Sequence, residues 1–237
     1  MVAIIPAGGR GTRMLSITQG RPKELLRLGR QTVIERVIRE AQEVVDRVIV
    51  VSSPEKPTLS ERAEALGAEV VLQHEPRGLG HAIACAQSDD DALILLADAA
   101  YLGGSPINRI DNLLRMGVSG CIAVEEVPDD QVPLYGIVEV NPGIGRIERV
   151  LEKPRLEETP SRWAIASRYG LSITLMSALA EYVEANDASA GEIGFSPFLA
   201  MVLDADLKAV AVQPGQRRFD CGDPEGYKEA LGYQWDI

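Results

Sequence analysis

The sequence predicts an α/β fold, a mostly parallel sheet flanked by helices, with a small antiparallel ribbon in its second half. Three observations lead there. Short apolar runs, Val2 to Ile5, Val48 to Val51 and Leu93 to Ala97, have the length of buried strands. Between the first two lies Thr32 to Val45, where Val33, Ile34, Val37, Ile38, Ala41 and Val44 recur at helical spacing; strand alternating with helix requires parallel pairing through right-handed crossovers. From Tyr135 to Leu151 the residues alternate, around a turn at Asn141-Pro142-Gly143, in the manner of an antiparallel ribbon.

Composition bounds what such a chain can do. At 237 residues it suits one large domain able to bury a sizeable core without disulfides. Hydrophobic residues make up 46% and charged ones 25%, and no apolar run is long enough for a membrane span, so neither disorder nor a membrane partner is expected. A net charge of −11 argues against nucleic acid, which needs a basic surface. Met1 leads directly into the first strand, with no room for a targeting segment, and Cys85, Cys121 and Cys221 are odd in number without metal spacing. A reducing cytoplasm is the expected compartment.

The first strand runs into Pro6, Ala7, Gly8, Gly9, Gly11 and Thr12. Without Cβ atoms the backbone of this loop can approach a ligand and turn its N–H groups toward an anion, while Arg10, Arg13, Arg21 and Lys23 add positive charge. That chemistry suits a polyphosphate. A P-loop would end in Gly-Lys-Ser/Thr where Gly11-Thr12-Arg13 stands; a dinucleotide fingerprint would need a small residue at Met14 and an acid where Ser52 and Ser53 stand.

The later elements follow in order. Arg47 to Val51 is the second strand, Leu59 to Leu66 a helix closed by Gly67, and Glu69 to Leu72 the third strand. Gln73 to Gly80 is a Gly-rich loop opening a helix through Gln87. Ligands of open α/β sheets sit at the carboxyl ends of the strands, so this loop should face the first one. The Gln73 carboxamide can donate and accept, as the edge of a pyrimidine requires, although an amide at a strand end also caps loops. His81 lacks partner spacing for a metal or a triad and reads as structural. The strand Asp91 to Ala97 ends at Asp98, a turn residue or a metal ligand. After a helix near Ile107 to Met116 come the strand Cys121 to Val127 and then the ribbon. A helix over about Thr174 to Glu184 and a strand over Leu207 to Val212 lead to Asp220, Cys221 and a last helix started by Asp223 and Pro224.

Taken together, GGRGTRM with RPKELL, QHEPRGLGHA, YGIVE, LEKP, SRY and DCGDPEGY resemble, in order and spacing, the sugar-1-phosphate nucleotidyltransferases, and in particular their bacterial UTP:glucose-1-phosphate uridylyltransferase branch. The resemblance spans nearly the whole chain. It implies a Rossmann-like single domain, 1–237, with a nucleotide-binding half (1–127) and a sugar-binding, closing half (128–237) whose ribbon covers the sugar site. It implies that Ala7, Gly8, Gly9, Gly11, Thr12, Gln73 and Gly78 bind the nucleotide, Gln73 and Gly78 at the uracil. Asp98 and Asp220 would hold Mg²⁺; Arg13, Lys23 and Lys153 would serve the phosphates; Gly136, Glu152 and Glu192 would bind the sugar. Relatives often form dimers or tetramers, which leaves a homo-oligomer open.

The activity so implied is attack by a sugar 1-phosphate oxygen on the α-phosphorus of UTP, releasing pyrophosphate. No protein nucleophile is needed, because the ionised phosphate already is one. Departures from the family pattern are Ala97 for Pro, Ala99 for a frequent second acid, Ser167 for Gly, and Gly194 and Pro197 for Gln and Asp beside the sugar site. They leave two other readings open: the same chemistry on another nucleotide or a cyclitol phosphate, or a catalytically silent nucleotide-sugar-binding protein.

Overall fold

The computed structural model describes residues 1–186 and 191–235. Its strands are β1 (Val2–Pro6), β2 (Arg27–Leu28), β3 (Gln31–Thr32), β4 (Val48–Ser52), β5 (Glu69–Leu72), β6 (Ala92–Leu95), β7 (Ala99–Leu102), β8 (Gly120–Glu126), β9 (Gly136–Val140), β10 (Ile147–Glu152), β11 (Trp163–Leu171), β12 (Leu207–Ala211) and β13 (Arg217–Asp220). The α-helices are α1 (Leu15–Thr18), α2 (Val33–Gln42), α3 (Pro57–Ala65), α4 (Leu79–Ala84), α5 (Ile107–Arg115), α6 (Ile173–Ala185), α7 (Phe195–Met201) and α8 (Pro224–Leu231). No helix among the described residues is long and apolar enough to cross a membrane.

A nine-stranded sheet runs in the order β10-β9-β11-β6-β1-β4-β5, with β8 beside β11 and β12 beside β8. From β6 through β1 and β4 to β5 the pairing is parallel, as it is between β8 and β12. Alternation along these strands feeds two cores. Val2, Ile4, Ile49, Val51 and Ile94 pack with Ile83, Leu175 and Phe198 of α4, α6 and α7; Ala3, Ile5, Val48, Val50 and Leu93 pack with Ile38, Leu59 and Ile110 of α2, α3 and α5. Both faces are therefore covered, which is why these strands read as unbroken apolar runs.

Two of the strand pairings depart from the sequence expectation. β11 is a nine-residue strand antiparallel to β6, β8 and β9, and its run Trp163 to Tyr169 disguises it: the register shifts between Ile165 and Tyr169, and Ser167 sits there in a left-handed conformation at φ 60°. That conformation is one glycine adopts at little cost, and it accounts for the usual Gly at this place in the resembling motif. Second, β7 and β13 pair antiparallel, with Asp220 opposite Ala99. This separate two-stranded ribbon brings Asp220 beside the residue that follows Asp98.

Helix α2 is shorter than its periodicity suggests. Its N-cap is Thr32, whose hydroxyl accepts from Glu35 N–H while the Glu35 carboxylate accepts from Thr32 N–H, a capping box. Glu35 is buried and takes the Arg62 guanidinium as well. Helix α4 stops at Ala84, three residues before the expected end.

Candidate active site

Strand β1 ends at Pro6, and the loop that follows forms the floor of a cavity of about 520 Å³. Ala7, Gly8, Gly9, Arg10, Gly11, Thr12 and Lys23 line one side; Gln73, Gly78 and Leu79 line another, with Asp98 and Glu192 at its margins. Gly11 has φ 63°, and a Cβ there would lie 3.3 Å from Lys23 Cδ, so this glycine both turns the loop and admits the lysine stem. Beneath the loop, the buried Lys56 ammonium donates to the Ala7 carbonyl at 2.7 Å and to both Glu24 oxygens at 3.0 and 3.1 Å. Burial pushes the Glu24 carboxyl above its ordinary range despite Lys56. The pair was missed in the sequence, although Glu24 stands inside the RPKELL segment.

Asp98 follows β6, and Asp220 ends β13. Both approach one point: a Cβ placed on Gly222 would lie 2.5 Å from Asp98 Oδ2, 3.0 Å from Asp220 Oδ1 and 3.0 Å from Lys23 Nζ. Two backbone N–H groups hold this convergence, Cys221 N–H donating to the Asp98 carbonyl at 2.7 Å and Gly222 N–H to the Asp220 side-chain Oδ1 at 2.9 Å. Lys23 Nζ also donates to Asp98 Oδ2. Burial opposes ionisation of Asp98, but Lys23, and more weakly Arg13, outweigh it and hold the carboxyl below its usual range. Asp220 is pushed the other way, by burial and by the Asp98 charge.

The donor set fits a divalent cation. Two hard oxygen ligands face a space that only a residue without a side chain leaves clear. Among the described residues no group of three or more His, Cys, Asp and Glu gathers, so a cation here must complete its shell with phosphate oxygens and water. The Cys221 thiol beside it is buried and pushed up to about 12, which fits a packing role.

The Asp98 turn is set by a residue given no role in the sequence reading. Arg168, fully buried on β11, donates to the Ala99 carbonyl at 2.9 Å, and its guanidinium forms a two-pronged pair with Glu40 of α2 at 2.7 Å on each side. Glu40 reads as a surface acid in the helical pattern; only the fold reveals its partner. Ala97 and Ala99, the departures on either side of Asp98, are buried, and Ala99 is the register partner of Asp220.

The residues expected at the sugar divide into two places. Glu152 Oε2 lies 3.5 Å from where a Gly136 Cβ would stand and accepts from Ser196 Oγ at 2.7 Å. Glu192 instead lines the cavity with Gln73, and the neighbouring Ile193 docks on the Gly78 loop, donating to the Arg77 carbonyl at 2.7 Å and accepting from Gly80 N–H at 3.0 Å. Gly194 and Pro197 are one change: a Cβ at 194 would lie 2.9 Å from Pro197 Cδ, so a proline at 197 requires glycine at 194. Lys153 stands exposed with φ 46° at the ribbon's end, and neither it nor the exposed Arg13 lines the cavity.

Comparison with known proteins gives a consistent result. Residues 3–157 match the MobA-like NTP transferase domain. A UTP–glucose-1-phosphate uridylyltransferase of Mycoplasma pneumoniae is 30% identical, with 98% of this chain and 91% of that protein aligned. A solved UTP-bound UGPase from Acinetobacter baumannii is 29% identical and superimposes with a TM-score of 0.81 over 97% of this chain and 91% of its own. A UDP-glucose pyrophosphorylase complexed with UDP-glucose is 26% identical, with a TM-score of 0.84 over 98% of this chain and 97% of its own.

Proposed function

This chain belongs to the UTP–glucose-1-phosphate uridylyltransferases, built on a MobA-like NTP transferase domain, and is a nucleotidyltransferase; from that premise we propose that it makes UDP-glucose and pyrophosphate from UTP and glucose 1-phosphate. The observation that carries the proposal is the convergence of Asp98, Asp220 and Lys23 on Gly222 beside the glycine-rich cavity.

Roles follow from the charges involved. Residues 1–127 supply the nucleotide half: the N–H groups of Gly8 to Thr12 bind the triphosphate, and Gln73 with Gly78 meets the uracil. Residues 128–237 supply the sugar half, with Gly136, Glu152 and Glu192 for the hydroxyls and Lys153 for the sugar phosphate. Asp98 and Asp220 would hold Mg²⁺, which would supply positive charge against the phosphates gathered at the site. One oxygen of the sugar phosphate attacks the α-phosphorus in line as the bond to pyrophosphate breaks. Lys23 holds the α-phosphate oxygens during that step, and Arg13 offsets the charge that grows on the departing pyrophosphate.

The deciding experiment is pyrophosphate release by the purified protein with Mg²⁺ across a matrix of nucleoside triphosphates and sugar 1-phosphates. Turnover strongest with UTP and glucose 1-phosphate is expected. Binding of UTP with no pyrophosphate release on any acceptor would establish a silent binding protein instead.

A further inference from the structure

Gln73 follows β5 with its backbone N–H held by the Ser52 carbonyl at 2.8 Å, and its side chain is almost completely buried. Its carboxamide has one oxygen and two N–H bonds to place. Nε2 lies 3.3 Å from the Gly78 carbonyl and 2.8 Å from His81 Nδ1. A carbonyl can only accept, so it sets which end of the amide faces it, and His81 Nδ1 must then be the unprotonated, accepting nitrogen of the ring. Both N–H bonds are occupied. The oxygen lies over the anion loop, 2.8 Å from where a Gly8 Cβ would stand, at the wall of the cavity.

We propose that His81 is a positioning residue that locks the Gln73 carboxamide oxygen toward the nucleobase and so makes the site select uracil over cytosine. The inference rests on the nucleotidyltransfer reading and refines it. Uracil carries an imide N–H that can donate to Gln73 Oε1. Cytosine has an unprotonated ring nitrogen at that place, and Gln73, with both N–H bonds engaged, has no donor to give it. Bringing the cytosine amine to Oε1 would shift the base and leave that ring nitrogen unpaired, and sites built around a specific hydrogen bond reject such analogues strongly. Without the His81 contact, the amide can rotate and present N–H instead.

The test compares kcat/KM for UTP and CTP, with glucose 1-phosphate and Mg²⁺, in the wild type, His81→Phe and His81→Asn. The phenylalanine keeps a ring but no acceptor; the asparagine Oδ1 restores an acceptor near the place of Nδ1. His81→Phe is expected to lower the UTP-to-CTP ratio about tenfold, with His81→Asn recovering most of it. An unchanged ratio in His81→Phe, or equal loss in both variants, overturns the proposal. Nitrogen NMR of the wild type decides the pairing independently of turnover and of how the variants fold. The chain has 2 histidines, and His81 should show an unprotonated Nδ1 and a protonated Nε2. A protonated Nδ1 would refute the proposal, whereas absence of turnover on every substrate would refute the functional reading alone.

Discussion

Lys23 donates to Asp98 across 75 residues of sequence, and the same ammonium lies beside the point on Gly222 that Asp98 and Asp220 both approach. One lysine therefore balances two carboxylates that repel each other when ionised. Lys23→Met should lower kcat about 10²–10³-fold, the cost of removing one preorganised charge-stabilising donor. Steady-state pyrophosphate release with saturating UTP checks it; a kcat within twofold of wild type would remove Lys23 from the chemistry.

Asp98→Ala and Asp220→Ala should each abolish most Mg²⁺-dependent turnover and leave the circular dichroism spectrum intact, since neither side chain fills a core. Titrating Mg²⁺ by calorimetry in the presence of UTP should show weakened binding in both.

Gly222→Ala probes the same point from the backbone. Its methyl would sit 2.5 Å from Asp98 Oδ2 and 3.0 Å from Asp220 Oδ1, so the carboxylates must part. The expected result is a raised Mg²⁺ requirement together with reduced kcat. Wild-type Mg²⁺ dependence would show that the two acids do not share a cation.

Breaking the buried Lys56–Glu24 pair from one side leaves an uncompensated charge under the Ala7 loop. Lys56→Met should cost about 3–5 kcal/mol of stability, and adding Glu24→Leu should restore most of it. Urea unfolding of the single and double variants gives the comparison.

Glu35 makes stability depend on acid. Burial opposes its ionisation, but the Thr32 N–H and the Arg62 guanidinium outweigh that and hold its carboxyl below the ordinary 4.5. A carboxyl depressed on folding stabilises the protein above its unfolded value, and that stability is lost as pH falls through the lower folded value. Melting temperatures of wild type and Glu35→Gln should differ at pH 7 and converge as the pH falls below 4.5 and through the lower folded value.

The apolar strands and the glycine loop were legible because each advertises itself locally: β1, β4 and β6 are covered on both faces, and Gly8, Gly9 and Gly11 announce a backbone that must bend around something. Asp98 and Asp220 came from motif resemblance, since an isolated Asp98 reads more readily as a turn residue. What stayed hidden was pairing at long range. Arg168 with Glu40, and Lys56 with Glu24, are ordinary surface charges until the fold buries them against each other. β11 escaped because its shifted register and buried arginine break the two-residue alternation that identifies a strand. His81 was read as structural because the spacing rules for metals and triads ask about other titratable residues, not about a neighbouring amide.

Strand β8 ends at Glu126, yet both its neighbours in the sheet, β11 and β12, begin only at Trp163 and Leu207. A ribosome that has released the first 127 residues has thus made a strand with two bare edges and nothing to satisfy them. Such edges invite pairing with other nascent chains. The two acids that meet at Gly222 lie on either side of that gap, so Asp98 waits for β13 before it has its partner.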